Sequence, residues 1–186
     1  GNVDLGCGCG EDGPSGCDQE CGSTLEFDEC GICGGDGALE LCWNNEYVCE
    51  LSDCDMLPEN YPLWDSNNDG VLDNNNFYEF NGSITAKVYD EDGLNLGDTS
   101  DLVAAFVGDE IRGVARASEF ITGEFGFLML VYSNQVSDEV ITFKFYDSSI
   151  DEIFDLSETI NWESNMIIGD QLNPFDFNLI SDQILG

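Results

Sequence analysis

The sequence contains no histidine and only 4 lysine and arginine residues, against 39 aspartate and glutamate residues, so its formal net charge is −35. Without histidine, neither a Ser-His nor a Cys-His nucleophilic pair can form. With so few cations, nucleic-acid binding is excluded because phosphate contacts need Lys and Arg. We therefore expect a protein that is not an enzyme, whose clustered carboxylates meet cations, with Ca²⁺ as the natural oxygen-binding choice.

Long hydrophobic runs are also missing. The longest, FGFLMLVY at residues 125–132, is far shorter than the roughly 20 residues of a membrane helix, so membrane insertion is not expected. The chain starts at Gly1 without a recognisable signal peptide, and we expect a mature, processed secreted protein. Hydrophobic residues still make up 42% of the sequence, which predicts a folded core rather than a disordered acidic tail.

Cysteine is absent after position 54, although the chain has 9 cysteines. Such density in a glycine-rich segment predicts disulfides and an oxidising compartment. A zinc site is the alternative, but only one C-x-x-C pair (Cys30, Cys33) is present. An odd count leaves one cysteine unpaired or bonded to another chain. The cysteines, whose pairing the sequence leaves open, are Cys7, Cys9, Cys17, Cys21, Cys30, Cys33, Cys42, Cys49 and Cys54.

This segregation predicts three parts: a disulfide-stapled segment (1–56), a linker (57–79) and a β domain (80–186). SITAKVYD and EVITFKFYD alternate apolar and polar residues, as half-buried strands do, whereas LVAAFVG predicts a fully buried strand. Roughly seven to nine short strands without a helical period predict an all-β fold, an antiparallel β-sandwich. An up-and-down barrel is the alternative.

Residues 63–76, LWDSNNDGVLDNNN, contain a D-x-[DN]-x-[DN]-G pattern with Gly70 at the turn position. Carboxylate, amide and main-chain oxygens at this spacing are calcium ligands. Position twelve is Asn76 rather than Glu, so the loop resembles those of dockerins and thrombospondin type 3 repeats more than a full EF-hand. The alternative is a plain polar linker. The predicted calcium ligands are Asp65, Asn67, Asp69, Val71 (through its carbonyl) and Asp73.

A second acidic loop, residues 89–101, reads YDEDGLNLGDTSD. It offers another calcium site, or else ordinary hairpin-turn residues. Its candidate ligands are Asp90, Asp92, Asn95, Asp98 and Asp101. Separately, Asn81-Gly82-Ser83 is a glycosylation sequon, with a silent sequon or an Asn-Gly turn as the alternatives.

Two resemblances point outside the cell. DECGICGGDGALELC (residues 28–42) resembles the D-x-C-G-x-C-G-G-D-x-C pattern of extracellular cysteine-rich modules, found in secreted metalloprotease ancillary domains and in secreted proteins of aquatic bacteria. DLVAAFVGDEIRGVAR, LVYSN, ITFKFYD and NPFDFNL follow one another over residues 80–180. This order resembles a β-sandwich module of large bacterial surface proteins that use the type IX route and of extracellular fibre subunits from aquatic microbes. The resemblance implies a jelly-roll-like sandwich with a structural or adhesive role and no catalytic residues.

We therefore expect a secreted structural subunit of an extracellular filament or cell-surface assembly, stabilised by Ca²⁺ and disulfides. Its partners would be copies of itself, joined head-to-tail or by strand addition through residues 2–5 or 179–185. The alternative is a carbohydrate-binding or adhesive module whose aromatic residues stack on glycans. The same aromatics would otherwise fill the core; they are Trp43, Trp64, Trp162, Tyr47, Tyr61 and Tyr78.

Overall fold

The computed structural model describes residues 7–8, 13–44 and 46–180. It divides the chain into two compact units, Gly1–Asp55 and Met56–Gly186. The division follows directly after the last cysteine, Cys54, where the composition changes. Segment 57–79, which the sequence predicts to be a linker, lies within the second unit.

The first unit has little regular structure. Two very short hairpins, β1 (Pro14–Ser15) with β2 (Glu20–Cys21) and β3 (Glu40–Leu41) with β4 (Tyr47–Val48), are followed by a 3-10 turn, η1 (Leu51–Asp53). Phe27 is 64% exposed and Leu39 is 69% exposed, so this unit removes little apolar surface from water.

Disulfides take the place of a core in this unit. Among the described residues the four bonds are Cys7–Cys21, Cys17–Cys33, Cys30–Cys49 and Cys42–Cys54, with sequence separations of 12 to 19 residues. Closing loops of this length stabilises a fold by about 3 kcal/mol per bond, chiefly by restricting the unfolded chain. The predicted disulfide-rich segment is confirmed, and Cys9 lies outside the described residues.

The regular structure of the second unit consists almost entirely of strands. After a 3-10 turn, η2 (Asn75–Phe77), come β5 (Phe80–Tyr89), β6 (Leu102–Val107), β7 (Glu110–Glu119), β8 (Phe125–Ser133), β9 (Ser137–Asp147), β10 (Glu152–Asp155), β11 (Ile160–Glu163), β12 (Ile167–Ile168) and β13 (Phe175–Asn178). The all-β prediction is confirmed. Neither 3-10 turn in the described residues has the length or apolarity needed to cross a bilayer.

These strands form one large sheet in the order β10-β9-β6-β7-β8-β5-β12, with β11 also beside β9 and β13 also beside β5. Most neighbours are antiparallel, but β12 and β13 run parallel to β5, with Ile167 opposite Ser83 and Phe177 opposite Val88. The sheet is therefore mixed, and the expectation of a purely antiparallel arrangement is wrong. The reason is that strands β6 to β11 lie between β5 and β12 in the sequence, so no tight hairpin fixes the relative direction of β5 and β12.

Strand β6 is buried on both faces, as its unbroken apolar run predicts. On one face, Val103 and Ala105 join the main core with aromatic residues of β8, β9 and β13. On the other, the Trp64 ring lies 5.9 Å from the Phe106 ring, and Leu72 is only 5% exposed. Part of segment 57–79 thus covers the second face of β6.

Phe143, on β9, is fully buried and lies 4.5 Å from the ring of Phe177. We expect Phe143→Ala to lower the free energy of unfolding by about 3–5 kcal/mol, because it removes a large apolar group and leaves a cavity. Val140→Ala on the same strand is the matched control, since Val140 is 52% exposed. Chemical denaturation measures both, and equal losses would contradict the assignment of Phe143 to the core.

Candidate functional site

The first acidic loop, residues 65–73, is closed by its own side chains. Asp65 Oδ2 accepts a hydrogen bond from the Gly70 N–H at 2.7 Å, and Asp69 Oδ1 accepts one from the Val71 N–H at 2.8 Å. Asp73 Oδ2 accepts a third from the Ser66 N–H at 3.2 Å. Gly70 has φ +76°, a left-handed conformation that glycine adopts without steric cost. The loop therefore makes the sharp turn that the glycine position predicts.

Asp65 is the buried member of this loop. It is 2% exposed, and burial raises the pKa of its carboxyl group. The Gly70 N–H bond opposes this rise, whereas the carboxylates of Asp69 and Asp73 add to it. The other predicted ligands, namely Asn67, Asp69, Val71 and Asp73, are exposed. The loop thus presents a buried acid beneath a rim of solvent-facing oxygen donors.

Two residues outside the pattern hold the loop against the sheet. The Tyr61 hydroxyl donates to Asn68 Oδ1 at 2.9 Å, and Arg116 Nη2, on β7, lies 3.3 Å from that hydroxyl and 3.4 Å from Asn68 Oδ1. The D-x-[DN]-x-[DN]-G pattern of the loop gives no indication that Tyr61 or Arg116 contacts it. Arg116 carries a usable signal, however, because it is one of only 4 cations in the sequence and a partly buried cation needs a polar partner.

In the part of the chain that the structure describes, no three His, Cys, Asp or Glu side chains are grouped as a preformed metal site. In the first loop, Asp69 and Asp73 turn their carboxylates to loop hydrogen bonds; Asp69 Oδ2 also accepts from Asn67 Nδ2 at 3.0 Å. Calcium at this loop stays a prediction.

The second acidic loop uses its oxygens differently. Asp90 Oδ1 accepts from the N–H groups of Asp92 and Leu94, and Asn95 Oδ1 accepts from the Gly97 N–H while its Nδ2 donates to the Phe125 carbonyl. Asp98 Oδ1 accepts from the Thr99 N–H at 2.6 Å. These are the contacts of turn-forming residues. A calcium site among Asp90, Asp92, Asn95, Asp98 and Asp101 also remains untested.

Asp101 ties this loop to the turn after β9. Its Oδ1 accepts from the Ser148 N–H at 2.8 Å and the Ser148 hydroxyl at 2.7 Å, and its Oδ2 accepts from the Asp98 N–H at 2.8 Å. Asp101 is 1% exposed, and this burial raises its pKa to about 6. The hydrogen bonds only partly offset the cost of removing the charged form from water.

The C-x-x-C pair is not a redox unit, since Cys30 bonds to Cys49 and Cys33 to Cys17. Its loop is organised by Asp28, whose carboxylate accepts from the N–H groups of Cys30, Ile32 and Gly37. The Ile32 hydrogen bond is the main reason that the pKa of Asp28 is lowered. Sequence reasoning assigned no role to this acid, which here shapes the loop.

The candidate sugar-stacking aromatics are mostly used internally. Trp162 is 2% exposed and donates from Nε1 to the Gln135 carbonyl at 2.7 Å, while Tyr61 packs edge-on against Tyr146 at 5.4 Å. Trp43 donates to the Asp55 carbonyl, and Tyr78 lies beneath the Arg112 guanidinium. Tyr47 differs, with 63% of its surface exposed. The core interpretation fits the buried members of this set.

Asn81 is exposed but lies within β5, opposite Tyr132. The Asn-Gly turn alternative is therefore wrong. Gly82 is needed here for a different reason, because an added Cβ would lie 2.7 Å from Met166 Cγ and 3.2 Å from the Trp162 ring. Glycosylation of Asn81 stays a prediction.

Comparison with known proteins adds nothing to these assignments: no protein-family model, curated protein or solved structure matches this chain.

We expect Asp101→Asn to flatten the pH dependence of stability. The pKa of Asp101 is about 6 in the folded state against an ordinary value of 3.8. At pH values between the two, the carboxyl group is therefore mostly protonated in the folded state and mostly ionised in the unfolded state. Below pH 4 the carboxyl group is protonated in both states, so Asp101 does not lower the free energy of unfolding. As the pH rises from 4 through 6, the free energy of unfolding falls, because the buried group resists ionisation. Relative to the variant, the wild type should lose at most about 3 kcal/mol between pH 4 and pH 7.

Thermal or urea unfolding of both proteins across this pH range makes the measurement. Asp92→Asn, an exposed acid in the same loop, controls for the loss of one negative charge. A pH profile of Asp101→Asn that runs parallel to the wild type would show that Asp101 titrates normally.

Proposed function

We propose that the chain is a secreted structural subunit of an extracellular filament or surface assembly, built on a jelly-roll-like β-sandwich. The observation that carries the proposal is that buried polar side chains of the second unit form hydrogen bonds between its strands and loops. Asp101 joins the loop before β6 to the turn after β9, and Trp162 joins β11 to the turn before β9. Ser133, which is 1% exposed, donates to Glu139, joining β8 to β9. Each fixes strands or loops to one another, which suits a structural role.

Two ion pairs whose cations are buried support the same interpretation. Lys87 on β5 contacts Glu124 at 2.7 Å, and Arg112 on β7 contacts Glu139 on β9 at 2.9 Å. The side chain of Lys87 is 6% exposed and that of Arg112 is 10% exposed. Glu139 is 15% exposed, whereas Glu124 is 56% exposed and lies in the loop before β8. Since losing one partner of a buried pair is strongly destabilising, the Arg112–Glu139 contact fixes β7 relative to β9.

Ring contacts between distant strands support the sandwich. Phe127 on β8 and Phe145 on β9 lie 6.0 Å apart, although β7 and β6 separate these strands in the sheet. In a flat sheet, strands three positions apart would be roughly 14 Å from one another. The contact between Phe143 on β9 and Phe177 on β13, next to β5, spans still more strands. A sheet that curls so that its two halves face each other accounts for both contacts.

An extracellular location is supported by the disulfides. Four bonds among the described residues indicate an oxidising environment, because cytosolic thiols are kept reduced. The net charge of −35 bears on assembly too, since copies of so acidic a chain repel one another unless cations screen them. An assembly of this protein should therefore depend on ionic conditions, and above all on divalent cations.

Negative-stain microscopy and size-exclusion chromatography of the full chain test the proposal. We expect filaments or large assemblies in millimolar calcium, and smaller species after chelation at low ionic strength, where repulsion is strongest. Particles that stay monomeric in both calcium and high salt would contradict a role in assembly. Sodium chloride at matched ionic strength separates general screening from an effect of the divalent ion.

A further inference from the structure

One oxygen in the second unit lacks the partner that its burial requires. Asp65 is 2% exposed, and in the part of the chain that the structure describes its Oδ1 has no hydrogen-bond partner. Leaving a buried polar atom unsatisfied costs about 1–3 kcal/mol, and more for a charged group. Its other oxygen, Oδ2, accepts the Gly70 N–H from within the loop at 2.7 Å. The carboxylate is therefore directed into the loop and not toward solvent.

The surroundings add negative charge. The carboxylates of Asp69 and Asp73 are near enough to raise the pKa of Asp65, and Arg116 is the cation that acts against them. Three acids of one nine-residue loop thus share a region with a single guanidinium. A bound cation would satisfy the free oxygen and neutralise the excess charge together.

The donor set identifies the kind of cation. Residues 65–73 offer carboxylate, amide and main-chain oxygens, and this stretch contains neither histidine nor cysteine. Oxygen-only ligands exclude a preference for zinc or copper and favour hard cations. Ca²⁺ takes six to eight oxygens in flexible geometry, whereas Mg²⁺ demands a near-ideal octahedron. A loop whose outer donors are exposed and irregularly arranged suits the tolerant geometry of Ca²⁺ better.

The loop also has a firm base on the sheet. Tyr61 and Arg116 hold Asn68 at the middle of the loop. The Tyr61 ring packs against Tyr146, whose hydroxyl donates to Asp151 at 2.9 Å, and Asp151 in turn accepts from the Asn60 N–H at 3.2 Å. The covering segment 60–73 is therefore fastened to the turn after β9 at its first residue, Asn60, and to β7 through Asn68 within the loop. An ion in the loop would act on this whole segment.

We propose that Asp65 Oδ1 is the inner ligand of a Ca²⁺ site completed by Asn67, Asp69, the Val71 carbonyl and Asp73, and that the ion fastens segment 60–73 onto β6 and β7. Asp69 and Asp73 exchange their loop hydrogen bonds for the ion as it binds. Calcium then stabilises the second face of β6, which this segment covers. This inference goes beyond the role in assembly and does not depend on it.

Calcium titration of the full chain, by calorimetry after chelator treatment, tests the site. Asp65→Asn and Asp69→Asn should each weaken one Ca²⁺ site by at least about tenfold, the loss of roughly one good ligand. Asp176→Asn, the same change on an exposed acid of β13 that belongs to neither acidic loop, should leave that site intact. Asp69 is exposed, so its variant decides the question should Asp65→Asn fail to fold.

Amide hydrogen exchange and thermal unfolding test the fastening. In the wild type, calcium should slow exchange across residues 60–73 and raise the midpoint of unfolding, since a ligand that binds only the folded state stabilises it. Magnesium at equal concentration should do less. The proposal is overturned if calcium leaves both readouts unchanged, or if the two loop variants bind as the wild type does. Neither result depends on filaments, so failure here is distinguishable from failure of the assembly role.

Discussion

The second unit depends on covering a strand that is apolar on both sides. The residues of β6 from Leu102 to Ala105 are 0% exposed, so neither face of this strand tolerates water. One face meets the aromatic core formed by β8, β9 and β13. The other needs a second layer, and segment 60–73 supplies it where the Trp64 ring packs against Phe106; Tyr61 and Leu72 of the same segment are buried as well. The position of the acidic loop follows from this requirement, because its chain continues directly from the residues that do the covering.

Charge imposes the second constraint. The chain has 4 cations against 39 acids, and all four cations contact groups of other elements. Lys87, Arg112 and Lys144 each contact a carboxylate on another strand or turn, and Arg116 points at the first acidic loop. Many acids stay in solvent, where their shared charge repels other copies of the chain and also acts against the compact state of this one. The first unit has the same excess of acids but no cations at a core to pair with them. Its disulfides hold it together instead.

Several local features of the fold are predictable from short stretches of the sequence. The unbroken run LVAAFVG marks a strand buried on both faces, and the cysteine segregation marks the disulfide-bonded unit; both are found. Gly70 at the sixth loop position has the predicted left-handed backbone. The parallel pairing of β12 and β13 with β5 was missed, because two- to four-residue strands carry no signal for their direction. The sequence marks Tyr61 as one of several aromatics, but nothing in it indicates that Tyr61 anchors the loop.

The sequence by itself determined composition-level properties: an acidic, disulfide-bonded, all-β chain without the residues for nucleophilic catalysis by a histidine pair. These follow from local patterns, since alternation, cysteine density and the glycine of a tight turn act over a few neighbours. Tertiary structure alone decided which cysteines pair, and that Asp65 is buried while Asp69 and Asp73 are exposed. It also brought Arg116 to Asn68 across 48 residues of chain. Burial and long-range contact depend on how distant segments pack, and no local pattern within residues 65–73 distinguishes its acids in that respect.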